Sequence, residues 1–557
     1  MASARITDVD IKVTGLGENL IPTGVTITYA PGAIPVAYVN FAPGKEGDPY
    51  VSGTTELVGD VDKKKRTSDV IIDVTVNKWV SSLNSKVNKK IKFIGFLDGM
   101  NILNAVGNNS YQAVIKNKAQ AALEICTHTP GLHPTSINIY KTPMISTSVD
   151  ANKQDDAVTV AFNNLVKFAK LSSSLPPVKY YTELMKSLII LQKGEYKKYL
   201  GLEKNAAGRF PLTKIYDAGV YKKGLAIAEQ FFNNIDLSAI SGGAINSVRR
   251  TEVLGSLKNL FVQGPNTLLE NYMNFLQAMN CTLIISNTKM YVVPYNSVLE
   301  QPHKKPKKGQ IQNEPNAAGP ADYMSYSYND NGYKDIAAVL VVHAGIYGGT
   351  VDVGRDLLER TVAADYIDNE SLSNACGVLV VKAHPWMITS PAHPQARDAI
   401  QAKQAITQGS IAPKTPNFDG TVKEIQTKTA ERQQEKNNIL AEELNEMLDN
   451  YCQTKFFQAR FTDRTGSLEM DFNPGWVPGV GGTFYVRETD MFVDFYVTNV
   501  THRIETSAPR QGNASTSISF CCARMGKSPR GSKEDKYLGY TKDKEYAIKD
   551  AFLGDIM

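Results

Sequence analysis

The spacing of apolar residues changes period along the chain, and each change marks a new kind of element. Near the start the period is two. Ile6, Val9, Ile11 and Val13 begin an apolar face, and Val25, Ile27 and Tyr29 alternate with threonine. The turn Ala30-Pro31-Gly32-Ala33 separates that strand from Val36–Phe41, which predicts a hairpin. Val70–Val76 is rich in β-branched residues. Lys90–Leu97 carries apolar groups on both faces late in its run, which predicts burial on two sides, and Asp98-Gly99 then predicts a turn. Short strands with frequent turn residues predict a small barrel or sandwich.

Past residue 150 the spacing becomes helical. Val158–Leu171 sets Phe162, Leu165, Val166 and Ala169 on one stripe, and Tyr180–Leu200 does the same with Leu184, Leu188 and Leu191. Pro176-Pro177 breaks the chain between these two helices. Helices are also predicted over Ala226–Ile235, Val248–Val262 and Leu268–Ala278. The last of these runs into strands at Cys281–Ser286 and Met290–Val293, joined by a tight turn. Residues 299–322 are rich in proline and lysine and predict an exposed linker. Strands follow at Ala337–His343 and Gly377–Lys382, with a helix between them over Val353–Ala364. A long helix is predicted over Thr421–Asn450, polar at first and amphipathic later, with Ile439, Leu440, Leu444, Met447, Leu448 and Tyr451 on one stripe. Alternation returns over Lys455–Arg524, and the tail beyond is charged and predicts a mobile extension unless a partner orders it.

These shifts predict an α+β multidomain chain with two small β-barrel-like domains, a helical insertion and a helix-hairpin unit. The segments are an N-terminal β-barrel-like domain at 1–148, a helical insertion at 149–265, a helix plus β-hairpin at 266–300 and a polar linker at 301–324. A mixed β/α region at 325–420, a long helix at 421–452, a C-terminal β-barrel-like domain at 453–525 and a charged tail at 526–557 complete the chain. Its 557 residues exceed one ordinary core.

Composition narrows the function classes. The net charge of +5 is small for this length and does not indicate a dedicated nucleic-acid binder. The basic runs Lys63–Arg66 and Lys304–Lys308 are read as solvated loops. Six cysteines at 126, 281, 376, 452, 521 and 522 form no CxxC pair, so neither a zinc site nor a disulfide framework follows, and a reduced cytosolic protein is expected. The first residues lack the apolar core of a signal peptide, and no apolar run reaches the roughly 18 residues of a membrane span. A soluble chain that leaves its cell by lysis or assembly is expected.

Motifs that carry chemistry are scarce in the chain. The chain has no GxSxG, HExxH, Walker or DxDxDG motif. Gly15-Leu16-Gly17 reads as a turn, and the GVGG run at Gly479–Gly482 precedes a strand, so it lacks the helix N-terminus that would hold phosphate. His128 and His133 flank a loop without completing ligands, and His384 and His393 lie in a proline-containing loop. His502 lies on a long strand beside Thr501 and Arg503, which reads as a hydrogen-bonded surface group. Glu488, Asp490 and Asp494, and the pair Asp60 and Asp62, do not define a saccharide cleft between two carboxylates. No catalytic residue, metal site or cofactor is assigned, and no enzyme is expected.

The most informative stretch is Phe472–Ile504. It holds Asn473-Pro474, the Val477-Pro478-Gly479 turn, a strand through Thr483–Val486 and a long strand Phe492–Ile504 containing VTHRI. Gln511-Gly512-Asn513 and the strand Ser515–Phe520 follow. This C-terminal domain resembles the hub proteins of contractile phage tails and related injection machines. Asn271–Pro294 resembles that family's helix-plus-hairpin unit. The resemblance covers residues 1–145, 265–300 and 325–525 and leaves the helical insertion and the charged tail without a role.

The resemblance implies a homotrimer at the baseplate of the virion tail, assembled in the host cytoplasm. Two similar β-domains per subunit would make a ring of pseudo-sixfold symmetry, matching a hexameric tail tube protein above and a trimeric central spike protein below. Baseplate wedge proteins and the tape-measure protein would be further partners, with DNA only in passage. The structural or interface candidates are Asn473, Pro474, Pro478, Gly479, Phe492, Tyr496 and His502. On the long strand Phe492, Asp494, Tyr496, Thr498 and Val500 point one way and Val493, Phe495, Val497, Asn499 and Thr501 the other, with the second set expected in the core near its start. The first set either meets a neighbouring subunit or is covered within the chain. Substitution of Pro478 and Gly479 is expected to block assembly more than monomer folding. Two other readings stand beside the hub: a receptor-binding or adhesion protein of the tail tip, and a tail-associated cell-wall lysin.

Overall fold

Alternating β-branched and aromatic residues build most of the described part of the molecule, seen in a computed structural model. The structure describes residues 5–16, 20–42, 69–80, 85–105, 108–120, 166–171, 175–202, 218–240, 268–279, 281–294, 316–319, 322–330, 336–342, 362–367, 377–382, 464–486, 488–489, 491–508, 511–526 and 550–557. The N-terminal strands are β1 (Arg5–Thr14), β2 (Pro22–Tyr29), β3 (Val36–Phe41), β4 (Val70–Val80), β5 (Ser85–Ala105) and β6 (Asn108–Asn117). Their hydrogen-bonded order is β1-β4-β5-β6-β3-β2. The inward positions are Val25, Ile27 and Tyr29 on β2, Ala37, Val39 and Phe41 on β3, and Val70, Ile72, Val74 and Val76 on β4, all buried. One face is thus a continuous apolar layer, as strict alternation requires.

The hairpin of β2 and β3 forms as expected, with Thr28 opposite Val36. Asp98-Gly99 does not turn the chain. β5 runs through it to Ala105, and the register shifts between Leu97 and Gly99 against β6. An Asp-Gly pair here makes a bulge because both flanking segments keep their ladder to the same partner strand.

The C-terminal strands are β14 (Arg464–Asp471), β15 (Gly481–Val486), β16 (Met491–Ala508) and β17 (Gln511–Gly526); β9 (Ala317–Ala318) and β10 (Tyr323–Asp330) precede them in the chain. They do not form a second, separate barrel. β16 pairs antiparallel with β2, Val500 opposite Tyr29 through Glu505 opposite Gly24, so both β-regions share one 12-stranded sheet. The described strands do not close: the path ends at β1 on one side and β10 on the other. The α+β class stands, and the two modules are joined edge to edge. The cause is the length of β16. Its first part pairs with β15 and its later part with β2, while β17 lines its other edge.

β16 also serves two cores. Val493, Phe495 and Val497 are buried before a register shift at Val497/Asn499, and Val500, His502 and Ile504 are buried after it. The expectation for the start of the strand holds. The bulge then exchanges the two faces, so the buried parity changes from odd to even numbers. Val493, Phe495 and Val497 pack with Trp476, Phe484, Ile518 and Phe520, whereas Ile504 packs with the N-terminal strands.

The helices lie on a hairpin. α1 (Pro177–Leu202) starts on proline, which suits the first helical position because its missing N–H has no intrahelical partner there. α2 (Ala218–Asn233) and α3 (Leu268–Ala278) follow. Tyr181 of α1 stacks on Tyr272 of α3 at 5.8 Å, and Phe232 of α2 meets Tyr272 edge-on at 5.4 Å. The hairpin after α3 is β7 (Cys281–Ile285) and β8 (Met290–Pro294). Asp236, just past α2, pairs with β8: its N–H donates to the Met290 carbonyl at 2.8 Å, and its carbonyl accepts from Val292 at 3.0 Å. The helical insertion is therefore stitched to the hairpin unit by backbone bonds.

A separate three-stranded sheet holds β11 (Ile336–Val342) between β12 (Val362–Ile367) and β13 (Gly377–Lys382). Val362–Ala364 is strand rather than the end of the helix expected over Val353–Ala364, because its backbone pairs with β11. Residues 353–361, the helix expected over Val248–Val262 and the long helix at 421–452 lie outside the described residues. Among the described residues no helix is long and apolar enough to cross a membrane.

The charged tail ends in a docked helix, α4, over residues 550–556. Phe552 and Ile556 are fully buried in the N-terminal core, so residues 550–557 are not the mobile extension expected from charge alone. Two apolar anchors four residues apart bury one face of a short helix that could not stand alone in water.

Candidate functional site

The turn between β14 and β15 is the centre of the C-terminal module, and its residues are fixed from several directions. Pro474, Pro478 and Gly479 are buried. Gly479 has φ of +76°, and its N–H donates to the Val497 carbonyl at 2.9 Å. The Val497 N–H in turn donates to the Val480 carbonyl at 3.2 Å, so the turn fills the edge of β16 between β15 and β2. A Cβ at Gly479 would stand 3.0 Å from the Ile284 side chain and 3.1 Å from Pro31 Cβ. The turn thus touches the β2–β3 hairpin and the β7–β8 hairpin of its own chain. This packing makes Gly479 part of the subunit's own fold, so a side chain there is expected to disturb folding as well as the assembly anticipated from the sequence.

Asn316 holds the same turn from the far side. Its Nδ2 donates to the carbonyls of Val477 at 2.9 Å and Gly481 at 3.2 Å, and its Oδ1 accepts from the Val477 N–H at 2.9 Å. It is buried with φ of +56°, a conformation that asparagine tolerates better than most residues. The exposed linker expected over 299–322 therefore does not extend across Asn316–Ala318, where β9 runs parallel to β15. Nothing in the local sequence signals this beyond the residue type.

Asn473 joins the two β-regions. Its backbone N–H donates to Thr516 Oγ1 at 2.9 Å, and its Oδ1 accepts from Lys89 Nζ at 3.1 Å. Lys78 of β4 forms an ion pair with Asp471. Burial, with Lys78 nearby, lowers the Lys89 pKa from its usual range. Two lysines of the N-terminal sheet thus grip the end of β14, on top of the β2–β16 ladder.

His502 is not a surface group. It is fully buried between Tyr29, 6.2 Å away, and Phe472, 5.7 Å away, and its Nδ1 shares a 2.9 Å hydrogen bond with Thr516 Oγ1. The bulge at Val497/Asn499 turned this position inward, which alternation counted from Phe492 could not foresee. Burial pushes its pKa down to about 3, so the ring is neutral at ordinary pH. Its Nε2 finds no partner among the described residues.

Tyr496 is buried, and Phe492 is half-buried with its ring 5.0 Å from that of Tyr485. Of the seven candidates, Phe492 is the one that keeps substantial apolar surface outside a core. Met324, Tyr326 and Met525 of the same module are exposed large apolar groups.

α4 forms a third junction. The Asp555 carboxylate accepts from Ser286 Oγ at 2.5 Å, from the Thr288 N–H at 2.6 Å and from Thr288 Oγ1 at 2.7 Å. Asn287 donates through Nδ2 to the carbonyls of Lys92 at 2.8 Å and Asp555 at 3.0 Å, and its Oδ1 accepts from the Ile94 N–H at 2.9 Å. One side chain therefore ties β5, the β7–β8 turn and α4 together. Phe552 packs edge-on against Tyr29 at 5.6 Å. The spacing of Phe552, Leu553 and Ile556 after a charged run was the available sequence signal for this docking.

Among the described residues no group of three or more His, Cys, Asp or Glu side chains is placed to hold a metal ion. His128, His133, His384, His393 and Asp490 lie outside the described residues. The geometry brings together apolar anchors and interdomain bonds, an arrangement suited to holding modules in a fixed relation.

No family model and no curated protein sequence matches the chain. Solved structures do. A tail protein from Neisseria meningitidis MC58 is similar at 7% identity, covering 95% of this chain and 98% of its own, with a TM-score of 0.35. A tail protein of prophage MuSo2 from Shewanella oneidensis is similar at 7% identity, covering 93% and 98%, with a TM-score of 0.36. Prophage tail protein gp18 from Listeria monocytogenes EGD-e is similar at 6% identity, covering 92% and 94%, with a TM-score of 0.36.

Proposed function

We propose that the chain is a structural hub of a contractile phage tail baseplate, and not an enzyme. In this reading three copies form a ring that adapts a hexameric tail tube to a trimeric central spike and surrounds the channel for DNA and the tape-measure protein. The observation that supports it most is the joining of two β-modules into one sheet through β2 and β16, reinforced by Lys78–Asp471 and Lys89–Asn473. A ring that withstands firing needs modules that do not swing against each other. A shared ladder, a shared core and a second polar seam meet that need within one subunit. The threefold ring then presents two β-modules per copy around its axis.

The exposed Met324, Tyr326 and Met525 of the C-terminal module, with the half-buried Phe492, supply the neighbour contact in this reading. The test is mass measurement of the purified chain together with negative-stain images. A ring-shaped trimer supports the hub. An elongated fibre favours the adhesion reading, and clearing of cell-wall material in a zymogram favours the lysin. The double variant Met324→Ser, Met525→Ser is expected to weaken the oligomer at least tenfold while the monomer's denaturation midpoint changes little, since both side chains are exposed and surface substitutions rarely exceed about 0.5 kcal/mol.

A further inference from the structure

The vicinal pair Cys521-Cys522 on β17 lies outside every role described so far, and its geometry is unusual. The two sulfurs stand 3.6 Å apart with neither in a disulfide. Cys522 has φ of +55°, and the register between β16 and β17 shifts beside the pair, at Asp494/Tyr496. The local chain is thus already bent so that consecutive side chains, which should point to opposite faces of a strand, bring their sulfurs together. Cys522 is buried, whereas Cys521 is partly open to solvent. The hydrogen bond from the neighbouring thiol lowers the Cys521 pKa against an opposing effect of burial, favouring the reactive thiolate.

We propose that Cys521 and Cys522 form a modification site that a hydroperoxide converts to a vicinal disulfide. The Cys521 thiolate attacks the O–O bond; an S–O bond forms, the O–O bond breaks, and the leaving alkoxide or hydroxide takes a proton. The Cys522 sulfur then attacks the resulting sulfenic acid; the S–S bond forms, the S–O bond breaks, and hydroxide leaves as water with the Cys522 proton. Two sulfurs lose two electrons in total, and the peroxide gains them. Closing the pair shortens the sulfur separation from 3.6 Å to about 2.05 Å. Adjacent Cα atoms lie about 3.8 Å apart, below the usual disulfide range of about 4.4–6.8 Å, so the bond is strained and readily reduced by thiols. The pair stays reduced in a glutathione-rich cytosol and oxidises when peroxide is present.

Cys281 is the internal control. It is fully buried, and burial pushes its thiol far above the usual range. The test treats the full chain with tert-butyl hydroperoxide, alkylates it under denaturing conditions and digests it with trypsin, which releases residues 511–524 with only these two cysteines. The expected result is a peptide about 2 Da lighter that takes no alkyl group and regains two after dithiothreitol, while Cys281 is alkylated throughout. In Cys522→Ser, Cys521 should instead stop at sulfenic acid and be trapped by dimedone. Two alkyl groups on the wild-type peptide after peroxide, or a disulfide from either cysteine to a different one, would overturn the proposal. Equal oxidation of Cys281 and Cys521 would do the same, because it would remove the selectivity the geometry implies.

Discussion

A single side chain can couple the fold to pH, and His502 is placed to do so. Its folded pKa of about 3 lies below the unfolded value of about 6.5. The unfolded chain therefore binds the extra proton first as pH falls. The stability tied to the neutral ring is fully present above about pH 6.5 and is lost progressively toward pH 3, at roughly 1.4 kcal/mol per pH unit. Urea midpoints at pH 7 and pH 5 should fall more in wild type than in His502→Gln. Equal falls would show that the ring's burial does not govern acid sensitivity. Gly479→Val makes a different residue-scale statement. The left-handed backbone and the contacts to Ile284 and Pro31 predict a loss of about 2–5 kcal/mol from the subunit itself. Chemical denaturation of the monomer checks it, and an unchanged midpoint would favour an effect on assembly more than on folding. The sequence made Gly479 legible as a turn residue. It could not reveal that the turn packs on segments more than 190 positions away.

At the scale of elements, α4 is the strongest case. Phe552→Ala removes a fully buried ring between Tyr29 and Tyr291 and should cost about 3–5 kcal/mol. Asp555→Ala strips the acceptor from the Thr288 N–H, so that amide should exchange with solvent faster while distant core amides do not. Slow exchange at Thr288 in the variant would mean that the helix does not hold the hairpin turn. Elements with uninterrupted local patterns, such as the β2–β3 hairpin and α3 with its hairpin, were legible because period and turn chemistry agree there. The others failed for identifiable reasons. Asp98-Gly99 carries a turn signal, but flanking ladders overrode it. β12 takes its strand conformation from pairing with β11. The tail's charge hid an amphipathic end of only eight residues.

For the whole molecule, the β2–β16 ladder decides how the parts relate. Pattern alone separated two β-rich regions, and nothing in either region's alternation specifies that Val500 should meet Tyr29. Pairings between residues hundreds of positions apart leave no local trace. The same holds for Lys78 with Asp471, two residues that look like ordinary surface charges in the sequence. In the proposed hub, the shared sheet would keep the two β-modules from swinging against each other. The most direct measurement is a cryo-electron microscopy map of the assembled chain at strand resolution. The expected map is a threefold ring, each subunit contributing both β-modules around the channel with β2 and β16 still paired. A monomer, an elongated fibre, or a ring in which the two modules have separated at that ladder would contradict it.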